Sequence, residues 1–346
     1  MTHPVSTSRR FVLARRPHGQ VREEDFALVR ADVGAVPDGG VLLETLFISL
    51  DPAIRGWLDD RPSYLPPVAI GEPVRSLGLA RVTESRNPAF RVGDIVRGFT
   101  GWQERHVVPS PGAEWDRITP KPGVPLETWL GALGMTGLTA WLGVYDILRP
   151  SAGDTVLVSA AGGAVGSLAA QLAKRAGARV IGTAGGAEKC DLLATRLGLD
   201  AAVDRRAYDW RDHLAAAAPD GIDRVFENAG GPVFDATIAL LNDHARIALC
   251  GLIDGYNLPH RPPGPSNFGM LLTKRVTTQG FIVLDHMNRA HEAEEHLAAL
   301  IRDKEIDPLQ TVVPGFEHLP RTFVQTFTHS RHPGKLVVDV TQPQYR

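Results

Sequence analysis

The chain has 346 residues, and its 37 lysines and arginines nearly balance 39 aspartates and glutamates, for a formal net charge of −2 at pH 7. Such a balance argues against nucleic acid or an anionic membrane as the main partner. No apolar run approaches the roughly 20 residues of a transmembrane helix, and the first twenty residues lack an apolar signal core, so we expect a cytoplasmic protein. Two cysteines, Cys190 and Cys250, exclude a disulfide framework or a four-thiolate zinc site.

The first 120 residues favour strands and turns. Apolar, β-favouring segments recur with glycine and proline between them, which is typical of a partly open β-barrel. The predicted strands are 41–50, 78–85, 90–103 and 104–110.

Beyond residue 125 the pattern changes to alternating strands and helices. Helical apolar spacing at 137–148 ends at Pro150, and a run of βα units follows, which predicts a doubly wound parallel sheet of the Rossmann type. The predicted strands are 154–160, 178–184, 200–204, 223–231 and 245–251, and the predicted helices are 164–177, 188–198 and one ending near 241. The last segment returns to strand 311–315, helix 318–328 and strand 334–340. We expect this segment to rejoin the first domain, which gives domains 1–124 with 312–346, and 125–311.

The sharpest local motif is a glycine-rich loop, SAAGGAVG, at 159–166. It follows an apolar strand and opens an alanine-rich helix, with small residues at Ala161, Gly163 and Gly166. In that context the loop and the helix N-terminus are suited to bind the pyrophosphate of a dinucleotide. A purely structural glycine turn is the alternative interpretation.

Charges near the end of the second strand favour NADP(H) over NAD(H). NAD-binding folds usually place an acidic residue about 20 residues after the glycine loop, whereas residues 183–186 here are Thr-Ala-Gly-Gly. Lys189 and Arg205 follow, and both could pair with a 2′-phosphate. The alternative is that both are solvated surface cations.

Other chemistries lack their motifs. There is no HExxH, no GxSxG and no P-loop. His291 and His296 are assigned to a solvated helix face, and no metal site is predicted.

Several segments together resemble the medium-chain dehydrogenase/reductase superfamily, within it the zinc-independent alkenal/enone reductases, and most nearly their bacterial curcumin-reductase-like members. The matching segments occur in family order along nearly the whole chain. They are LFISLDPAIRGWL (46–58), SYLPP (63–67), LGMTGLTAWLG (133–143), SAAGGAVGS (159–167), AGGAEKC (184–190), FENAGG (226–231), ALCGLIDGYN (248–257) and QGFIVLDH (279–286). The resemblance implies a GroES-like barrel domain and a Rossmann domain.

The resemblance also implies an NADPH-dependent oxidoreductase acting on CH–CH donors. It would reduce the C=C bond of α,β-unsaturated ketones and aldehydes, with hydride going to the β-carbon and the enolate being protonated at the α-carbon. Relatives place Lys189 on the 2′-phosphate and the backbone of Phe281 and Val283 on the carboxamide. The expected cofactor-binding residues are Met135, Thr139, Ala161, Gly162, Gly163, Ala164, Val165, Gly166, Gly185, Lys189, Arg205, Asn228, Cys250, Gly251, Phe281, Val283 and His332.

Tyr256 matches a tyrosine that relatives place near the substrate carbonyl, which makes it the candidate catalytic residue; packing against the cofactor is the alternative. Tyr64 and Phe47 are expected in the substrate pocket. Phe47 replaces a family tyrosine, His332 a family asparagine, and Arg205 a tyrosine present in many relatives.

Zinc-dependent members use a cysteine and a Gly-His-Glu element in the first domain. No cysteine precedes Cys190, and 69–78 has no histidine, so no catalytic zinc is expected.

The resemblance implies a homodimer. Two other functions stay open: an NADPH:quinone oxidoreductase, and a nucleotide-binding sensor without turnover.

Overall fold

The computed structural model describes residues 7–260, 262–328 and 332–341. The strands are β1 Thr7–Leu13, β2 Phe26–Asp32, β3 Val41–Leu50, β4 Gly78–Ser85, β5 Ile95–Gly98, β6 Arg105–Val108, β7 Asp116–Ile118, β8 Thr155–Val158, β9 Arg179–Ala184, β10 Ala201–Asp204, β11 Ile222–Glu227, β12 Leu241–Leu249, β13 Thr277–Gly280, β14 Gln310–Pro314 and β15 Lys335–Asp339. The α-helices are α1 Ile54–Trp57, α2 Met135–Leu142, α3 Ala164–Arg175, α4 Ala187–Thr195, α5 Trp210–Ala217, α6 Gly231–Ala239, α7 Gly269–Thr273, α8 Ala290–Arg302 and α9 Leu319–Thr328. None of these helices is long and apolar enough to span a bilayer.

Contacts divide the chain into two units. The first unit contains the described residues of 1–130, 311–332 and 336–346, and the second contains those of 131–310 and 333–335.

The first unit is built on antiparallel strands. A seven-stranded sheet has the order β14-β15-β3-β4-β5-β7, with β6 also paired to β3, and β1 pairs with β2 in a separate ribbon. The C-terminal strand β15 is antiparallel to β3, with Leu336 opposite Leu50. The core of the first unit combines aliphatic side chains with several aromatic rings. Trp102 is fully buried and packs tilted on Phe26 and edge-on to Phe323.

The second unit is a parallel sheet flanked by helices. Its six strands have the order β10-β9-β8-β11-β12-β13, and neighbouring strands are parallel throughout. All four residues of β8 are buried, as expected for a central strand that is covered on both faces. The predicted combination of a β-rich domain and a doubly wound parallel sheet is confirmed. From β8 the chain continues to β9 and β10 on one side and then crosses to β11 on the other side of β8. At such a switch point the carboxyl ends of the strands, here β8, β9 and β11, form the crevice where these sheets bind ligands.

Two details differ from the sequence-based expectation. The predicted helix 137–148 is α2 followed by a π-helical turn, Gly143–Leu148, which ends on Arg149 at φ 49°. His296 was expected on a solvated face, and this is wrong: helix α8 buries Leu297 and Leu300, and half-buried His296 accepts a hydrogen bond of 2.9 Å from Trp141 Nε1. The apolar stripe of α8 packs toward α2, which places His296 at that contact.

Candidate functional site

The glycine-rich loop lies between the end of β8 and the start of α3. Gly163 is the N-cap of the twelve-residue helix α3, and the loop is tied to β9 by a 2.9 Å hydrogen bond from Ala161 N to Thr183 O. A Cβ on Gly166 would lie 2.4 Å from Ala160 O, so only glycine allows the helix to start this close to the loop. The first-turn N–H groups of Ala164 and Val165 have no partner within the helix and are suited to an anion.

A segment from the far end of the chain supports the same loop. Gly334 N donates a 2.9 Å hydrogen bond to Gly162 O, and Lys335 N donates one of 2.8 Å to Leu309 O. Gly334 has φ +70°, and a Cβ there would lie 2.0 Å from Leu309 O. Residues Pro333–Lys335 therefore brace the glycine loop from outside the contiguous nucleotide-binding segment. His332, which belongs to the first unit, directly precedes this brace.

Three cations lie at the carboxyl ends of β9 and β10. The Lys189 side chain passes over Gly162, with Cδ 3.4 Å from the position of a Cβ there, and Arg206 Nε lies 3.0 Å from the corresponding position on Gly185. The pKa of Lys189 is lowered, first by burial and then by the charges of Arg206 and Arg205. Mutual repulsion of this kind is relieved when an anion binds between the cations.

Arg206 was missed by the sequence analysis. It is the second of two adjacent arginines directly after β10, and that position was the available signal. The nearby acid is already engaged: Asp204 Oδ1 accepts hydrogen bonds from Gly186 N at 2.7 Å and from Arg206 N at 2.9 Å. Asp204 thus shapes the turn under the cations.

Arg205 points elsewhere. Its Nη1 lies 3.2 Å from Asp254 Oδ2, and both side chains are partly buried. Burial raises the pKa of Asp254, and the Arg205 charge opposes that rise. Arg205 is thus joined to the loop that follows β12.

A buried carboxyl group joins the ends of β8 and β11. Glu227 Oε1 accepts hydrogen bonds from Ser159 Oγ at 2.8 Å and from Ala229 N and Gly230 N at 2.6 Å each. Ser159 Oγ in turn accepts one from Asn228 N at 2.7 Å. Glu227 is fully buried, and burial raises its pKa. The network fixes the turn that presents Asn228 beside the glycine loop.

Tyr256 also lies near the carboxyl ends of these strands. Its hydroxyl oxygen is 3.5 Å from the position of a Cβ on Gly251, and Asn228 O is 3.3 Å from that position. Burial raises the pKa of Tyr256, so its hydroxyl stays protonated at neutral pH. Burial also raises the pKa of Cys250 to about 12 and that of Cys190 to about 11. Both cysteines are free, and neither is an activated thiolate.

The other expected residues of the second unit lie in α2 and directly after β13. Thr139 Oγ1 donates a 2.7 Å hydrogen bond to Met135 O in α2. Phe281 follows β13 and packs edge-on against Phe226 of β11, with ring centroids 6.5 Å apart. Val283 starts a short 3₁₀ segment, Val283–Arg289.

The expected pocket residues of the first unit are an exposed tyrosine and a sheet phenylalanine. Tyr64 is 47% exposed, and its ring stands edge-on to Trp57 at 6.1 Å. Phe47 lies in β3 opposite Leu79 and is partly buried.

Within the described residues, no group of three or more His, Cys, Asp or Glu side chains is arranged to hold a metal ion.

Comparisons with known proteins identify the family. The model described as "N-terminal domain of oxidoreductase" matches residues 9–117, and the one described as "Zinc-binding dehydrogenase" matches residues 164–302. The chain is 42% identical over 339 residues to an NADPH-dependent curcumin reductase of Escherichia coli (strain K12), covering 96% of this chain and 97% of the relative.

Two further proteins show the same full-length likeness. A 2-alkenal reductase (NADP(+)-dependent) of Nicotiana tabacum is 37% identical over 350 residues, covering 99% of this chain and 100% of the relative. The crystal structure of CurA in complex with NADPH from Vibrio vulnificus superposes with a TM-score of 0.91 at 39% identity, covering 97% and 100% of the two chains. The chain belongs to the medium-chain dehydrogenase/reductase superfamily, in its zinc-independent branch of alkenal and enone reductases.

Proposed function

We propose that this protein reduces the C=C bond of α,β-unsaturated ketones and aldehydes with NADPH. The observation that carries the proposal is likeness to reductases of this kind over nearly the whole chain. The predicted domains keep their roles in the proposal: 1–124 with 312–346 for the substrate, and 125–311 for the nucleotide.

The residues at the carboxyl ends of the parallel strands fit NADP(H). The N–H groups in the first turn of α3, directly after its N-cap Gly163, suit a pyrophosphate. Lys189 and Arg206 would contact a dianionic 2′-phosphate, and Arg205, which is paired with Asp254, belongs to the same cluster of cations. Asp204, the acid at the end of β10, is bonded to backbone N–H groups. It also ends the strand after β9, whereas the ribose-binding acid of an NAD site lies at the end of the second strand, where residues 183–186 carry no acid.

Residues around the crevice would hold the rest of the cofactor. We assign this role to Met135, Thr139, Asn228, Cys250, Gly251, Phe281 and Val283, and to His332 from the segment before Pro333. Phe47 and Tyr64 are proposed to line the substrate pocket.

Bound NADPH supplies the hydride that the β-carbon of the enone accepts. The chain's own contribution to this step is to orient the reactants and to stabilise charge. As negative charge develops on the substrate oxygen, the protonated Tyr256 hydroxyl would donate a hydrogen bond to it. In this proposal the proton that the α-carbon of the enolate then gains comes from the Tyr256 hydroxyl, and solvent reprotonates the phenolate. Because Tyr256 is a donor only while it is protonated, its raised pKa keeps it effective through neutral and mildly alkaline pH.

Substitution of Tyr256 tests this role. Tyr256→Phe should lower kcat/KM for an enone by about 10- to 100-fold, since one donor is lost from the developing enolate. Steady-state NADPH oxidation with a simple enone is the measurement. Tyr208→Phe is the matched control, because Tyr208 is fully exposed and should leave the rate unchanged. An unchanged rate in Tyr256→Phe would leave water or a ribose hydroxyl as the proton source.

A substrate panel tests the reaction class. NADPH oxidation is measured with enones, 2-alkenals and benzoquinones, and the products are identified. We expect saturated ketones and aldehydes. Turnover of quinones alone would assign the quinone oxidoreductase activity, and NADPH binding without any turnover would indicate a nucleotide sensor.

The protein is also proposed to be a cytoplasmic homodimer. Strand β13 ends the parallel sheet and pairs only with β12 among the described strands, and its four residues are exposed. An uncovered edge strand can be extended by a second copy. Phe268 and Leu272, on the segment before β13, are 64% and 82% exposed and would add apolar contact.

A further inference from the structure

The two adjacent arginines that follow β10, Arg205 and Arg206, have different surroundings. The Arg205 guanidinium is paired with Asp254, at 3.2 Å from Nη1 to Oδ2. The Arg206 guanidinium lies beside Gly185, at the turn before α4, and its charge acts on Lys189. One arginine therefore has a carboxylate partner inside the protein, and the other faces the cation cluster.

Asp254 belongs to the turn that carries Tyr256. Asp254 N donates to Ala229 O at 3.0 Å, Ile253 N to Asn228 O at 3.1 Å, and Tyr256 N to Ile253 O at 3.2 Å. The last of these bonds closes the 3₁₀ turn Ile253–Gly255, directly before Tyr256, and the other two tie that turn to the segment after β11. The position of the Asp254 carboxylate is therefore coupled to the backbone that positions Tyr256.

Arg205 anchors that turn to the other half of the sheet. Its own N–H donates 2.9 Å to Ala184 O, at the end of β9, while its side chain reaches the loop after β12. In the sheet order, β9 and β12 are separated by β8 and β11. The ion pair thus links both sides of the crevice. Because both members are partly buried, removing one leaves a poorly solvated charge on the other.

We propose that the two arginines divide their roles: Arg205 positions Tyr256 through Asp254, whereas Arg206, together with Lys189, distinguishes NADPH from NADH. Arg205 is then a positioning residue and not the main 2′-phosphate ligand. The inference rests on the proposed function, because it presumes both NADPH binding and a role of Tyr256 in turnover.

The first experiment measures binding without turnover. Isothermal titration with NADP⁺ and NAD⁺, which differ only in the 2′-phosphate, is carried out on the wild type, Arg205→Gln and Arg206→Gln. Arg206→Gln should weaken NADP⁺ binding by about 10- to 100-fold, the range for a lost charge-assisted hydrogen bond, with NAD⁺ binding within about 3-fold. Arg205→Gln should keep the preference for NADP⁺ within about 3-fold. Arg302→Gln, on an exposed surface arginine, is the control and should change neither affinity.

The second experiment separates positioning from general destabilisation. Arg205→Gln and Asp254→Asn should each lower kcat for an enone by about 10-fold, with the KM for NADPH within about 3-fold of wild type. The double variant should be no slower than either single variant, because both remove one interaction. The reversed pair, Arg205→Glu with Asp254→Arg, should recover part of kcat relative to Arg205→Glu alone. Arg206→Gln should instead raise the KM for NADPH.

Each contrary result has a definite meaning. Loss of NADP⁺ preference in Arg205→Gln, or its retention in Arg206→Gln, overturns the division of roles. Multiplicative losses of kcat in the double variant overturn the positioning role of the pair. A wild-type protein that binds NAD⁺ as tightly as NADP⁺ overturns the proposed cofactor itself, so failure of the function is distinguishable from failure of this inference.

Discussion

Glu227 lies where two requirements conflict. Its Oε1 accepts three hydrogen bonds that hold the ends of β8 and β11 together, yet Oε2 is buried without a hydrogen-bond partner among the described residues. Ionisation would place an uncompensated charge in the interior. The neutral carboxylic acid therefore suits this position, and burial accordingly raises the pKa of Glu227.

This position predicts a pH-dependent effect of Glu227→Gln. Because the folded-state pKa of Glu227 is raised, the unfolded state releases this proton first as pH rises past about 4.5, and the wild type loses stability until the folded-state pKa is passed. Glutamine keeps the acceptor and cannot ionise. The variant should therefore gain stability relative to wild type as pH rises through that window, by at most about 1.4 kcal/mol per pH unit.

Urea unfolding at a series of pH values measures this difference. Glu188→Gln on α4 removes an exposed glutamate and should leave the wild-type profile within about 0.5 kcal/mol. A constant stability difference between Glu227→Gln and wild type across pH 4–8 would mean that Glu227 is charged in the folded protein.

At the scale of single elements, the close start of α3 against its loop gives another prediction. Gly166→Ala places a methyl group 2.4 Å from Ala160 O and 2.9 Å from Ala161 Cα. These are backbone atoms, so the helix must move away from the loop. We expect a loss of about 1–3 kcal/mol of stability, as for other overpacked sites, and weaker NADPH binding by fluorescence titration.

The matched control for this change is Gly269→Ala in α7. A Cβ on Gly269 meets nothing within 4 Å, and alanine favours a helix over glycine by up to about 1 kcal/mol. The control should therefore be neutral or stabilising and leave NADPH binding unchanged. If Gly166→Ala behaves like this control, the tight approach of α3 to the loop is not needed for the site.

Sequence patterns predicted elements well where the signal is local. The β8–loop–α3 unit follows from an apolar run, small residues and an alanine-rich segment in immediate succession, and β3 and β4 have the predicted bounds. Strand 90–103 was predicted too long, since only Ile95–Gly98 is paired as a strand within it. Strand β13 was missed because TTQG carries no apolar alternation.

The side-chain pairs at the candidate site could not be predicted in the same way. Arg205 and Asp254 are 49 positions apart, and Ser159 and Glu227 are 68 apart. Each pair meets only because parallel strands bring their carboxyl ends to one edge, and periodicity does not specify which side chains then touch. The family resemblance assigned Arg205 a role, but it gave no indication of the Asp254 partner.

At the scale of the whole molecule, the exposed β13 edge predicts how copies associate. Leu272→Glu should shift the protein from dimer to monomer in light scattering coupled to size exclusion, because a charge is introduced beside the proposed junction. Tyr208→Glu, next to the opposite edge strand β10, is the control and should stay dimeric. A wild-type monomer, or a dimer that Leu272→Glu leaves intact, would show that this edge is not the interface.

The brace formed by Pro333–Lys335 has a consequence for biosynthesis. The glycine loop leaves the ribosome about 170 residues before Gly334, the residue whose N–H caps Gly162 O. During translation the parallel sheet can therefore assemble with its loop still lacking this support, and the loop is completed only after Gly334 has been synthesised. A fragment ending at Gln310 would contain all six strands of the parallel sheet and still lack the segment that hydrogen-bonds to the glycine loop.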